Sequence, residues 1–137
     1  MQELSVKRPL WALLAALIAV LFGLMTLYSG GSVLFIDGAA RAAAGNYVPF
    51  VLWFNFVAGF AYIATGIGLY LWRLWALLAA VTLAAVTVLV FAALGLHIMI
   101  GGAYEMRTIG AMTLRSFIWL VIAGFATLTW KNMQKTG

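Results

Sequence analysis

Few side chains in this sequence can do chemistry, and those few sit in unusual places. His97 is the only histidine, Glu3, Asp37 and Glu105 are the only acids, and there is no cysteine. Asn55, His97, Arg115 and Tyr28 stand inside or at the edges of long apolar runs, where a polar group is costly and is kept for a reason. Tyr104, Glu105 and Arg107 follow His97 closely in the chain. Arginines with an amide and a hydroxyl beside them suit an anionic or a quinone-like head group. A histidine next to Tyr104 or Glu105 could instead move a proton.

Other chemistries fit these residues poorly. Without cysteine there are no disulfides, thiolate nucleophiles, Cys-ligated zinc sites or iron–sulfur clusters. No Ser–His–acid order stands out, and no glycine loop is built to cradle a phosphate; the 14 glycines read as helix ends and contact faces. Paired-carboxylate chemistry would require Asp37 and Glu105 to meet from different loops. Proton-coupled transport usually places an acid within the membrane, and none of the acids lies in an apolar run, which argues against a self-sufficient pump. The metal to weigh is copper(I), with His97, Met99, Met25, Met106 and Met112 as soft ligands. Against it, no Met-x-x-Met or His-x-His spacing occurs, and methionine is ordinary packing material in apolar helices. No metal or cofactor is assigned, and the balance is against an enzyme.

The elements that must position these groups are membrane helices. Hydrophobic residues make up 66% of the 137 and charged residues 8%, against about 45–50% and 25% in soluble domains. A soluble fold of this size could not hide so much apolar surface, whereas a bilayer accepts it if every backbone polar group is bonded within the helices. Four spans follow, at about 10–28, 50–70, 74–100 and 113–130, giving an all-α, up-down bundle of four transmembrane helices in a single domain. The first, preceded by Lys7 and Arg8, is too long for a signal core and reads as a retained helix. Gly30 and Gly31 are expected to end it. A loop over 30–49 follows, with a short helix over 37–45 capped by Asp37 and closed by Gly45. Spans two and three form one long apolar stretch broken only by Arg73, so the chain must double back there. Tyr70, Trp72, Arg73 and Trp75 mark that border, as aromatic and basic residues do. A second loop, 101–112, precedes the last span.

The formal charge of +5 carries topology rather than a nucleic-acid surface, because the basic residues are scattered between apolar runs. Lys7, Arg8, Arg73, Lys131 and Lys135 fall on one side; Arg41, Arg107 and Arg115 fall on the other together with Asp37 and Glu105. The first side is therefore cytoplasmic, with both termini, and the protein is a multi-pass protein of the inner membrane. Trp53 and Trp119 then lie about one turn inside the outer border. Tyr28 closes the first helix, Arg115 opens the fourth, and Asn55 and His97 share their depth. A pocket open to the outside results.

Two matches suggest an internal duplication. LWALLAA begins at Leu10 and again at Leu74, and AGFA at Ala58 and again at Ala123, at offsets of 64 and 65 residues. The protein would then be two helical hairpins related by an axis along the membrane normal. Asn55 and His97 fall opposite Leu120 and Val33, so the polar cluster is not a product of duplication. The small-residue rows Ala15–Ala19–Gly23 and Ala76–Ala80–Ala84 read as close packing within the bundle.

Three functions compete. A binding or transport-accessory module needs His97, Asn55, Glu105 and Arg115 around one outward cavity. A structural or assembly subunit would have them pair among themselves, Glu105 with Arg107 or Arg115, leaving an apolar face for membrane partner subunits or a second copy. A membrane-embedded enzyme or redox protein would use His97. The first is the leading expectation, with the lipid bilayer and a small anionic or quinone-like molecule as partners.

Overall fold

The computed structural model describes residues 7–136, so Glu3 lies outside the described residues. It contains the helices α1 (Leu10–Phe35), α2 (Ala39–Ala44), α3 (Pro49–Tyr70), α4 (Leu74–Met99) and α5 (Met106–Thr136). All but α2 are long and apolar enough to cross a membrane. At 26 residues α1 and α4 are each about 39 Å long, more than the roughly 30 Å of a hydrocarbon core. Leucine, valine and phenylalanine face outward all round; Leu17, Phe60, Leu89 and Phe117, for example, are more than half exposed. The interior combines rows of alanine and glycine with a few large side chains such as Tyr62, Leu77 and Trp119. The chain is an all-α, multi-pass membrane protein.

The reversal near Arg73 is tight and specific. The Arg73 N–H donates to Gly68 O (2.9 Å) and the Trp72 N–H to Leu69 O (3.1 Å), which closes α3 in a Schellman motif. That motif needs its C′ residue in the left-handed region, and the residue there is Trp72 at φ 56°. Glycine is the usual occupant. Trp72 is held by burial: it is 4% exposed and packs edge-on against Trp11 at 5.8 Å. The end of α4 repeats the motif with glycine. There Gly102 donates to His97 O (2.9 Å) and Gly101 to Ile98 O (3.0 Å), with Gly101 at φ 90°.

α1 packs along α3 and α4 along α5, while α3 and α4 touch less. At the α1–α3 crossing a Cβ on Gly23 would stand 2.7 Å from Gly59 O, and one on Gly66 would stand 3.0 Å from Ala16 O. Small residues let the backbones approach closely, as membrane helices require. The rows Ala15–Ala19–Gly23 and Ala76–Ala80–Ala84 are buried. α1 and α5 approach chiefly through long side chains, such as the stacked pair Trp11–Phe125 at 5.5 Å.

Several boundaries differ from those read in the sequence. Gly30 and Gly31 do not end α1, which runs on to Phe35. They are contact positions: Cβ atoms there would lie 3.5 and 3.4 Å from Phe56. α5 begins at Met106, with the Thr108 N–H donating to Glu105 O at 3.0 Å, so most of the second loop is helix. Asp37 does not cap α2, whose N-cap is Gly38; it pairs instead with Arg41 at 3.8 Å. Arg41 turns back to cap α1, donating to Val33 O (2.8 Å) and Leu34 O (2.9 Å). Gly45 does close α2, at φ 63°. Trp119 marks no border; it is 2% exposed and lies against Tyr62 in the bundle centre at 5.0 Å.

Candidate functional site

The longer helices change what surrounds Arg115. It does not open the last helix but lies nine residues beyond Met106, about 13 Å along the axis, with the walls of α1 and α5 rising past it. At this α2 end of the bundle lies a partly open cavity of about 210 Å³. α1 contributes Thr26 and Ser29, α3 contributes Asn55, and α5 contributes Thr108 and Arg115. Glu105 and Arg107 line it from the start of α5, Ala44 and Tyr47 from α2 and its exit.

The loop carrying α2 is tied down over this space. Glu105 Oε1 accepts the Asn46 N–H at 2.8 Å, and Arg107 Nη2 donates to Ala43 O. A Cβ at Gly45 would run into the Glu105 carboxylate. α2 is therefore one wall of the cavity, and its placement depends on the first turn of α5. The expected pairing of Glu105 with Arg107 or Arg115 is absent; all three side chains take other partners.

Arg115 is the unusual member. It is 8% exposed, and its guanidinium is a donor-only group with five N–H bonds to satisfy. Its Nη1 donates to Thr26 Oγ1 at 3.0 Å, and the group lies 4.9 Å from the centre of the Phe22 ring and 5.9 Å from that of Tyr62. Its Nε is buried with no acceptor. Among the described residues the ion pair is Arg41–Asp37; Glu105 lines the same cavity but is not within ion-pair distance of Arg115. Asn55 Oδ1 and Ser116 Oγ are likewise buried without partners. The amide therefore does not use this oxygen to bond a neighbouring helix. Buried polar groups are nearly always satisfied, and an orphan asks for a water, an ion or a ligand.

His97, Tyr104 and Tyr28 are not in the cavity wall. His97 Nε2 donates to Ala103 O at 2.9 Å and the ring meets Phe50 edge-on at 5.9 Å. Gly102 leaves room for it, since a Cβ there would overlap the ring. The ring is thus bonded to the turn after α4, and its hydrogen-bond partner is neither Tyr104 nor Glu105. Tyr104 is exposed in the connection before α5. Tyr28, 81% exposed, belongs to a cleft on the flank of the bundle, between α1 and α5, that Arg115 also lines. The copper candidates are dispersed. Met112 is fully buried with Val48, Val51 and Leu94, Met25 faces the α1–α5 cleft, and Met99 and Met106 are exposed.

The structure thus brings together Asn55, Glu105, Arg107 and Arg115. It adds Thr26, Ser29, Tyr47 and Thr108, which the sequence reading missed. Thr26 and Ser29 stand beside Tyr28 in the first apolar run, but a hydroxyl in a helix is too cheap to signal a site by itself. No protein-family model matches the chain, and neither curated proteins nor solved structures give a match.

Proposed function

We propose that this protein binds a small anion in the cavity at the α2 end, as a binding or transport-accessory module of the cytoplasmic membrane, with that end facing outward. One observation carries the reading: Arg115 is a buried cation whose nearest partners are a hydroxyl and two aromatic faces. A charged side chain costs about 2.5–3.5 kcal/mol at the centre of a membrane helix on insertion scales, and less toward its ends. Cation–π contacts return about 0.5–2 kcal/mol each, and the Nε–H remains unused. An anion would complete the set, with the hydroxyls of Thr26 and Ser29 and the amide of Asn55 beside it. A quinone-like head group fits less well, because its neutral carbonyls accept hydrogen bonds without neutralising the guanidinium.

Supporting observations bear on orientation and ancestry. Arg8 donates to Tyr70 O at the opposite end of the bundle, near Arg73, and Lys131 and Lys135 lie at the same end of α5. That basic end suits the cytoplasmic side. The tight pairs α1–α3 and α4–α5 are the two halves that the repeated segments delimit. Ala12 and Ala76, Ala16 and Ala80, and Ala58 and Ala123 are buried in both. The assembly-subunit reading draws less support, since the polar groups do not pair among themselves.

Native mass spectrometry of gently extracted protein tests the proposal. A small anionic adduct is expected on the full chain and should be lost from Arg115→Gln. Failure to find one, or an adduct that survives the substitution, rejects the reading.

A further inference from the structure

We infer that the anion is the head group of an amphiphile, which reaches Arg115 sideways from the bilayer through the seam between α1 and α5. This rests on the binding reading above and adds the ligand's second half. The cavity of about 210 Å³ is smaller than the roughly 300–1,000 Å³ of ordinary ligand pockets; it has space for a carboxylate or phosphate group and little more. On the other side of Arg115 lies the α1–α5 cleft of about 560 Å³. The two spaces meet at the same side chains, Thr26, Ser29 and Arg115. Elsewhere the cleft is walled by Phe22, Leu24, Met25 and Leu114, with Tyr28 at its edge. A charged group where an apolar trough meets a polar cavity is complementary to an anionic head on a hydrocarbon chain.

The seam is also where the bundle leaves an opening. α1 packs most closely with α3 and α5 with α4, whereas α1 and α5 meet through the Trp11–Phe125 stack toward one end and, toward the other, the Arg115–Thr26 hydrogen bond and the Arg115–Phe22 cation–π contact. Met25 and Leu114, which line the cleft from α1 and α5, are 71% and 51% exposed. Buried in lipid, those positions look onto acyl chains, and a chain lying between them would exchange one apolar neighbour for another. No hydrophobic gain drives the chain in. Specificity would come from the head group, and the bilayer's contribution is to concentrate the amphiphile beside the opening.

The test uses the full chain in phosphatidylcholine nanodiscs, labelled with a photoreactive dodecanoate carrying a diazirine on its chain. Adducts are expected on residues 22–29 of α1 and around Leu114 of α5. Unlabelled dodecanoate should displace the label at least tenfold more effectively than acetate, and dodecanol should not displace it. Leu114→Trp, which fills the trough from an exposed position, should lower dodecanoate to the level of acetate. Arg115→Gln should abolish labelling of these segments. Equal displacement by acetate and dodecanoate, with Arg115 still required, would overturn the amphiphile while leaving the anion site. If no carboxylate displaces the label, or labelling is unchanged in Arg115→Gln, both readings fall. Displacement by inorganic phosphate as effective as by dodecanoate would mean a soluble anion, and would also overturn this inference.

Discussion

Replacing Trp72 gives a result whose sign is set by the backbone. This residue sits at φ 56°, where an L-residue is disfavoured by about 1–2 kcal/mol and glycine is not. Its indole is almost wholly buried beside Trp11, so any truncation loses packing. In a soluble core that loss is about 3–5 kcal/mol for a large aromatic, and less in lipid, where the alternative to burial is also apolar. Comparing Trp72→Gly with Trp72→Ala removes the packing term, since both lack the indole. Glycine should then be the more stable of the two by about 1 kcal/mol. At Leu78, on the exposed face of α4, the order reverses and alanine is better by about 0.5–1 kcal/mol. Unfolding in mixed micelles with increasing SDS, followed by far-ultraviolet circular dichroism, measures both pairs. The reasoning is refuted if Trp72→Ala is as stable as Trp72→Gly, because the turn that places Asn55 and Arg115 at one end would then not be left-handed at this residue.

Other substitutions probe the cavity and its walls. Gly45→Ala combines a positive φ with a collision against Glu105; about 1–2 kcal/mol of local stability should be lost, seen as roughly tenfold faster amide exchange over residues 39–48 if the wall loosens. Glu105→Ala should have the same effect and Glu105→Gln a smaller one, because the amide oxygen can still accept the Asn46 N–H. Gly23→Leu should force α1 and α3 apart and cost about 1–3 kcal/mol of overpacking, with a lower midpoint in the SDS titration. Asn55→Leu removes a buried acceptor that has no donor, so the ligand-free protein should be no less stable, while the anionic adduct weakens.

Much of this arrangement could be read from the sequence, for physical reasons that differ by residue. The reversal at Arg73 was legible because two spans' worth of apolar chain with one charge between them can only fold back. Asn55, Glu105, Arg107 and Arg115 were placed at one end because their depths follow from span boundaries alone. Gly30 and Gly31 misled, since glycine serves two purposes in membrane helices and here it makes room for Phe56. Polar residues at the start of α5 resembled a loop, yet the helix continues past the apolar stretch and forms a cavity wall. His97 had the right depth but the wrong direction. Its side chain is taken up by the turn that ends α4, and no periodicity reveals that. Thr26 and Ser29 were hidden because hydroxyls are cheap in a helix, where they can bond the preceding turn as Ser32 does to Tyr28 O.

Whether Arg115 serves a ligand or the fold is decided by the stability of Arg115→Met, measured after the protein has been stripped of bound molecules by extensive detergent exchange. A buried charge without a counter-ion costs several kcal/mol in desolvation, which one hydrogen bond and two cation–π contacts of about 0.5–2 kcal/mol each roughly balance and leave no clear surplus for the fold. Arg115→Met should therefore unfold no earlier than the native chain and should carry no anionic adduct. A variant that unfolds markedly earlier in the ligand-free state would show that Arg115 holds the helices together, and the anion site would have lost its basis.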